Sequence, residues 1–220
     1  MERIKFGLLG AGGFAREVMP FLKGSVAKTL LVRESDIDAY FVETWQPQVS
    51  TVNGNSVLSL DEFIQFNGKK YFNVAVGSGG DREAMVTKVG SNAEPMTLLA
   101  PQTTILDCNI IGVGSVFCPN TMVTSNAKIG KFFQCNIYAY VAHDCVIGDF
   151  VTFAPGVRCN GRVHIDDYAY IGTNAIIREG TSEKPLRIGK GAVVGMGAVV
   201  TKDVPAGATV VGNPARVMEK

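Results

Sequence analysis

The sequence predicts two parts in tandem: a small α/β unit built on a parallel sheet, then a three-sided solenoid of short parallel strands, a parallel β-helix. Three observations predict them. An apolar residue recurs every six positions from Ile105 to Ile177, and the register resumes at Ile188, Val194 and Val200. A glycine-rich turn, Gly10-Ala11-Gly12-Gly13, follows an apolar run near the N-terminus. Stretches of strand and helix character alternate between that turn and residue 100, the pattern of a parallel sheet covered by helices.

The solenoid rests on the register Ile105, Ile111, Phe117, Val123, Ile129, Cys135, Val141, Ile147, Phe153, Cys159, Ile165, Ile171 and Ile177. Four residues after many of these stands a small side chain: Ser115, Thr121, Ala127, Ala139, Cys145, Ala169, Ala175, and later Ala192 and Ala198. An α-helix repeats every ~3.6 residues and cannot keep one face apolar at period six. Short strands joined at corners can, when each side of a prism takes six residues and three sides close one coil. The large residue and the small one point inward, and about five coils follow. Gly112, Gly130, Asn136, Gly148, Asn160, Gly172, Gly189 and Gly195 follow the large residue, where a corner with positive φ is expected to want glycine or asparagine. Arg178 to Pro185 breaks the period and reads as an external loop.

In the N-terminal part, Ile4 to Leu9 reads as a buried strand, and a helix runs from the glycine turn to about Lys23. The turn fits G-x-G-x-x-A, with Ala15 last, and lets backbone approach a phosphate at the helix N-terminus. For the second strand, Ala39–Val42 is preferred over Thr29–Val32, because Glu43 then ends the strand facing the glycine turn; Glu34 and Asp36 are its competitors. Gln46 to Ser56 reads as loop. Ser59-Leu60-Asp61-Glu62 is a capping box for a helix to about Phe66. Tyr71–Val76 is a third strand ending in Gly77, Asp81–Val89 a helix, and Thr97–Leu99 a fourth strand. Roughly 95 residues are too few for both halves of a dinucleotide domain, so a single nucleotide is the expected ligand. Ala100-Pro101 marks the joint, giving domains of 1–100 and 101–220.

Bulk properties narrow the function. The 220 residues are 46% hydrophobic and 19% charged, with a net charge of +1. There is no basic run to hold nucleic acid or an anionic membrane. No apolar run reaches membrane-span length and MERIKFGLL carries no signal-peptide pattern, so a cytoplasmic protein is expected. Five cysteines, all in the repeat, form no CxxC; they read as reduced core residues, and no metal site is expected.

His143 and His164 are the only histidines. His143 lies two residues past inward Val141, hence on the outer wall, and Asp144 follows it. An imidazole suits proton transfer near neutral pH, and a carboxylate can fix its tautomer and raise its basicity. His164, just before inward Ile165, reads as solvated. Cys145 is turned inward by the register, which argues against a thiol nucleophile.

Three motifs carry a resemblance that spans essentially the whole chain: GAGGFARE at 10–17, HDCVIGDF at 143–150 and GNPAR at 212–216. With them the sequence resembles the PglD/NeuD-like sugar acetyltransferases, a branch of the hexapeptide transferases. The resemblance implies a left-handed coil, a Rossmann-like nucleotide-sugar-binding domain before it, and a homotrimer with acetyl-CoA in the groove between subunits. It implies N-acetylation of the 4-amino group of a UDP- or dTDP-linked 4-amino-4,6-dideoxy sugar; the alternative is O-acetylation of sialic acid or another sugar hydroxyl. His143 would be the general base and Asp144 its acidic partner. Asn136 would line the sugar site, and Gly12, Gly13, Phe14, Arg16, Glu43 and Gly77 would surround the nucleotide. The Gly161 N–H would bind the thioester oxygen, and Thr173, Gly195, Met196 and Gly197 would follow the pantetheine arm. Where family members often carry a second histidine, nine residues after the first, this chain has Thr152, whose hydroxyl can donate a hydrogen bond but carries no charge. A γ-type carbonic anhydrase shares the coil but needs three zinc-ligand histidines, which two cannot supply.

Overall fold

The protein is described here from a computed structural model covering residues 3–218. The chain divides into two compact units, 1–101 and 102–220.

The first unit contains β1 (Ile4–Leu9), α1 (Gly13–Leu30), β2 (Ile37–Glu43), β3 (Thr51–Val52), β4 (Asn55–Ser59), α2 (Leu60–Ile64), β5 (Lys70–Val74), α3 (Gly79–Val89) and β6 (Glu94–Pro95). They form one sheet in the order β3-β4-β2-β1-β5-β6. Every pair is parallel except the β3–β4 hairpin. Strand β1 is central, and Phe6, Leu8 and Leu9 on it are fully buried. Chain direction across the sheet reverses between β1 and β5, so the C-terminal ends of these strands open a crevice there.

Four details differ from the sequence reading. Helix α1 does not stop near Lys23 but runs to Leu30, through Pro20. Its buried Ala15, Val18, Met19, Leu22, Ser25 and Val26 recur at helical spacing along one stripe, and that packing outweighs the proline. The stretch 46–56 is not all loop. Asn53 (φ 47°) and Gly54 (φ 76°) both take positive φ and close the β3–β4 hairpin, the two-residue Asn-Gly turn whose twist suits paired strands. The last strand of the sheet is Glu94–Pro95, not Thr97–Leu99. The capping box stands as expected, but α2 ends at Ile64: the Ser59 hydroxyl accepts from the Glu62 N–H at 3.2 Å and Glu62 Oε2 accepts from the Ser59 N–H at 2.7 Å.

The second unit is a coil of two- and three-residue strands in three sheets, parallel but for the C-terminal antiparallel pair Thr209–Val211 and Arg216–Val217. Register advances 18 residues per coil, as in Val116↔Gln134↔Thr152↔Tyr170 on one side and Met122↔Tyr140↔Arg158↔Ile176 on the next. The third side holds a 5-stranded sheet, from Ile110–Ile111 to Leu186–Ile188. The expected inward set fills the interior: from Phe117 to Val200 each large member is at most 4% exposed, and so is each small one from Ser115 to Ala198. Ile105 and Ile111, on the first coil, are only partly buried. Cys118, Cys135, Cys145 and Cys159 are buried free thiols, and Cys108 is exposed.

The corners turn differently from the expectation. Positive φ falls not on the residue after the large one but three later, on Cys108, Gly114, Asn120, Asn126, Phe132, Tyr138, Asp144, Phe150, Gly156, Arg162, Tyr168 and Asn174. The glycines after the large residue let successive coils approach. A Cβ on Gly112 would lie 2.5 Å from the Gly130 carbonyl carbon, and one on Gly130 would lie 2.6 Å from that of Gly148. On one corner Phe132, Phe150 and Tyr168 stack at centroid distances of 5.4 and 5.7 Å, with Lys190 5.1 Å over the last ring. After Ile177 the register step grows from 18 to 23 residues, Ile147↔Ile165 being followed by Ile165↔Ile188. The extra residues lie within the expected loop at Arg178–Pro185. Among the described residues no helix is long and apolar enough to cross a membrane.

Candidate active site

His143 and Asp144 form the corner between the strands Tyr140–Val141 and Val146–Ile147. Asp144 takes φ 59°, which points the two side chains out of the prism side by side. His143 Nδ1 lies 2.9 Å from Asp144 Oδ2. A carboxylate only accepts, so Nδ1 carries a proton, and in the neutral ring the lone pair is then on Nε2. Both side chains are about two-fifths exposed, at 42% and 41%. The hydrogen bond to His143 above all, with the charges of His143 and Arg162 and a bond from Asn126, holds the Asp144 carboxyl below its ordinary range against some desolvation.

One coil on, Gly161 and Arg162 occupy the same corner, and the Arg162 N–H donates to the His143 carbonyl at 2.9 Å. The His143 ring lies against Gly161: a Cβ there would sit 2.6 Å from Nε2. Only glycine leaves the ring in place. Among the described residues the Gly161 N–H has no acceptor, so it is a donor beside the imidazole. Cys145 is fully buried, as the register requires, and its thiol donates to the Asn160 carbonyl at 3.2 Å. His164 is not simply solvated. It is half-buried in Val163–Ile165 between Val146 and Arg187 of the flanking strands, and burial, then the Arg187 charge, lower its pKa.

The structure brings two further side chains to the His143 corner that sequence reasoning missed. Arg162 Nη1 lies 2.8 Å from Glu179 Oε1, and Arg162 Nη2 lies 3.7 Å from Asp144 Oδ2. Glu179 Oε1 is 3.7 Å from His143 Nε2. Glu179 belongs to the loop that breaks the period, and its neighbour Gly180 is fixed by an N–H bond to the Gly161 carbonyl at 3.0 Å. The signal was present in the sequence: the period fails one coil beyond Gly161, directly under the His143 corner.

The remaining candidates on the coil are not at this corner. Asn136, Thr173 and Gly195-Met196-Gly197 stack on the preceding one, after the strands Gln134–Cys135, Tyr170–Ile171 and Val193–Val194. The Gly197 N–H donates to the Thr173 carbonyl at 2.8 Å. Met196 is 82% exposed there, while Asn136 turns its Oδ1 to the Ile137 N–H at 2.7 Å. Thr152 lies within a strand between Gln134 and Tyr170 and is 6% exposed. Within one chain, none of these is brought to His143.

In the first unit the glycine turn is tied to the sheet by the Gly10 N–H, which donates to the Val42 carbonyl at 2.8 Å. Gly12 is the N-cap of α1 with no side-chain cap, and no atom lies within 4 Å of a Cβ built on Gly12 or Gly13. Glu43, at the end of β2, accepts a hydrogen bond from the Ala11 N–H; burial raises its pKa and that bond opposes the rise. It therefore faces the turn as expected, while Asp36 is held by Arg33 at 3.0 Å. At the end of β5 the turn at Gly77 is held from beneath by buried Arg82, whose Nη1 donates to the Val76 carbonyl at 2.6 Å. Arg16 lies on the flank of α1, in a cavity of about 330 Å³ with Lys23, Glu34, Asn53 and Asn55. Among the described residues no group of three or more His, Cys, Asp or Glu side chains could hold a metal ion.

Comparison with known proteins gives no matching family model. The chain is 45% identical over 217 residues to a GDP-perosamine N-acetyltransferase of Escherichia coli O157:H7, across 98% of this chain and 96% of that one. Among solved structures, WeeI from Acinetobacter baumannii AYE has a TM-score of 0.89 at 49% identity, covering 98% of this chain and 100% of its own. The acetyltransferase domain of PglB from Neisseria gonorrhoeae FA1090, in complex with acetyl coenzyme A, has a TM-score of 0.84 at 28% identity, covering 99% and 100%.

Proposed function

The chain belongs to the PglD/NeuD-like family of sugar acetyltransferases, and we propose that it transfers the acetyl group of acetyl-CoA to the 4-amino group of a GDP-linked 4-amino-4,6-dideoxy sugar. GDP replaces the UDP or dTDP carrier that the sequence resemblance implies, because the full-length relative at 45% identity is named for a GDP sugar. The observation that carries the chemistry is His143, with Nδ1 committed to Asp144 at 2.9 Å, which leaves Nε2 for the substrate.

The sugar amine attacks the thioester carbonyl directly. His143 Nε2 takes a proton from nitrogen as the C–N bond forms, worth ~10²–10⁴ in rate for a placed base. Asp144 stabilises the imidazolium. The Gly161 N–H donates to the oxyanion of the tetrahedral intermediate. The C–S bond then breaks, and sulfur leaves with the proton as CoA thiol. No acyl-enzyme is needed, and buried Cys145 is not placed to form one.

The exposed N–H groups opening α1 at Gly12, Gly13 and Phe14 suit a diphosphate, with Arg16 and Gly77 around it and Glu43 accepting from ribose or base. This is the Rossmann-like nucleotide role of the first unit. The coil is left-handed and assembles as a homotrimer in the cytoplasm. Exposed Ile110 (64%), Val146 (40%) and Met196 (82%) support a covered surface. Thr173, Gly195, Met196 and Gly197 of one subunit then guide the pantetheine arm toward His143 of the next, with Asn136 lining the sugar and Thr152 behind the acyl end.

The test is release of free thiol from acetyl-CoA with GDP-, UDP- and dTDP-linked 4-amino sugars. Turnover is expected with GDP-perosamine, giving a product stable to alkali, as an amide is. Failure with all amino sugars, or an alkali-labile ester on a sugar hydroxyl, would refute the reading.

A further inference from the structure

We propose that the buried thiol of Cys145 aims the oxyanion donor: by hydrogen-bonding the Asn160 carbonyl inside the prism, it turns the Gly161 N–H of the same peptide outward, toward the thioester oxygen. This rests on the N-acetyltransferase reading above and adds to it a positioning residue that never meets a substrate.

The Asn160–Gly161 peptide is trans, so its carbonyl and its N–H lie in one plane and point in opposite directions. Whatever fixes the carbonyl therefore fixes the donor. Cys145 Sγ donates to the Asn160 oxygen at 3.2 Å. Cys145 is fully buried, so the bond draws the carbonyl toward the interior. Cys159 Sγ stands farther from that oxygen, at 3.8 Å. The rest of Asn160 is pinned as well. Its N–H donates to the Ile177 carbonyl at 3.3 Å, its Nδ2 donates to the same carbonyl at 2.8 Å, and its Oδ1 accepts from the Tyr140 hydroxyl at 2.7 Å. Across the peptide, the His143 ring lies against Gly161, with Cε1 2.4 Å from where a Cβ would stand.

Packing alone does not ask for a thiol at this position. The corresponding inward positions hold Ala127, Ala139, Ala169 and Ala175, each at most 1% exposed. The coils below show what a donor adds there. Down the edge that carries His143, the position is filled by Asn109, Ala127 and Cys145. Asn109 Nδ2 donates to the Thr124 carbonyl, fifteen residues on, at 2.6 Å. Cys145 makes the same fifteen-residue reach to Asn160, while Ala127 has no side-chain donor. Cys145 also follows His143 and Asp144 directly, so one three-residue segment carries the base, its carboxylate partner and the anchor of the donor. The Arg162 N–H ties the two coils a second time, through the His143 carbonyl at 2.9 Å. Base and donor are held in register before either substrate arrives. As the C–N bond forms, the thioester oxygen takes up negative charge, and a donor already aimed at it needs no reorientation.

The test compares wild type with Cys145→Ala, and with Cys135→Ala as a packing control, using GDP-perosamine and acetyl-CoA. A second acyl donor, acetyl-dithio-CoA, carries sulfur in place of the thioester oxygen, and sulfur accepts an N–H bond weakly. Removing an oxyanion donor outright costs ~10²–10³ in kcat. A donor present but no longer aimed is expected to cost about tenfold of that in Cys145→Ala, with both KM values within about twofold of wild type. The rate advantage of acetyl-CoA over its dithio analogue shrinks at least about threefold in the same variant, because that advantage is what the N–H gives to oxygen. The pH dependence of kcat keeps its midpoint, since His143 and Asp144 are unchanged. Cys145→Ala places in the slot the residue that Ala127 supplies one coil below, so it is expected to fold, with thermal melting as the check. Cys135 is also fully buried, and its thiol faces the Ala139 carbonyl at 3.7 Å, on another corner. Cys135→Ala keeps kcat and the oxygen-to-sulfur ratio within about twofold of wild type. The proposal is overturned if Cys145→Ala keeps kcat within threefold of wild type, if its kcat falls with the ratio unchanged, or if Cys135→Ala loses as much. Wild-type enzyme silent with every amino sugar refutes the transferase reading itself, a different result from an active enzyme indifferent to Cys145.

Discussion

Replacing Gly161 by alanine moves the imidazole by a distance the structure supplies. The added Cβ would lie 2.4 Å from His143 Cε1, where ordinary contact begins at 3.4 Å, so the ring retreats by about 1 Å. The ring yields rather than the backbone, because its side chain is 42% exposed and free to move outward. A displacement near 1 Å in a reacting group costs on the order of a hundredfold. The expected fall in kcat is therefore about a hundredfold, or ~2.7 kcal/mol in the barrier. The backbone N–H of residue 161 survives the change, so the loss reports the position of the base and not the oxyanion donor. The assay is thiol release at saturating acetyl-CoA and GDP-perosamine, with thermal melting as control for folding. A melting temperature within about 2 °C of wild type is expected, since no buried group is lost. A kcat within threefold of wild type would refute the argument that glycine at 161 is there to seat the ring.

Gly130→Ala has the opposite profile. Its Cβ meets the backbone of Gly148 in the next coil at 2.6 Å, and backbone cannot yield without lengthening the inter-coil bonds. A cost of about 2–3 kcal/mol and a melting temperature lower by roughly 4–12 °C are expected; an unchanged melt would contradict the close-approach role. Gly12→Ala meets no atom within 4 Å, so its melt stays at the wild-type value while KM for the nucleotide sugar rises, and an unchanged KM would remove the glycine turn from the binding site. Asp38 is hydrogen-bonded by Arg3 and by Lys5 at 2.7 Å, and chiefly the Arg3 bond pulls its pKa well below the usual carboxylate range. A depressed folded pKa stabilises above the unfolded value near ~3.9 and is lost as pH falls through the folded one. Asp38→Asn should therefore melt below wild type at pH 7, with the gap closing as pH drops from about 4; a gap independent of pH would show the ion pairs contribute nothing.

What could be read from the residues follows from what repeats. Each side of the prism offers the same environment every six residues, so Phe117, Val141, Ile165 and Ala169 announce their burial by position alone. Glu43 was legible because a carboxylate at a strand end beside a glycine turn has few other places to face. The corners differ from the expectation because residue type alone does not set backbone conformation. The left-handed positions hold Asn126, Asp144, Phe150 and Arg162, whereas Gly112 and Gly130 serve contact between coils, a tertiary demand that leaves no local trace. The Asn53-Gly54 hairpin carries its signal, an Asn-Gly pair, inside a polar stretch whose composition reads as loop. Glu179 is legible only in part: the failed period marks its loop under the His143 corner, but the meeting of carboxylate and imidazole depends on the path of that loop, where the repeat supplies no ruler.

The most direct measurement is the turnover of His143→Ala, with binding of GDP-perosamine and acetyl-CoA followed separately by calorimetry. Loss of a placed general base should lower kcat by at least about a hundredfold. Both dissociation constants should stay within a few-fold of wild type, because the ring is held by Asp144 and Gly161 and not by either substrate's anchoring groups. A variant that keeps more than a tenth of wild-type turnover would contradict the account, however well the coil around it is understood.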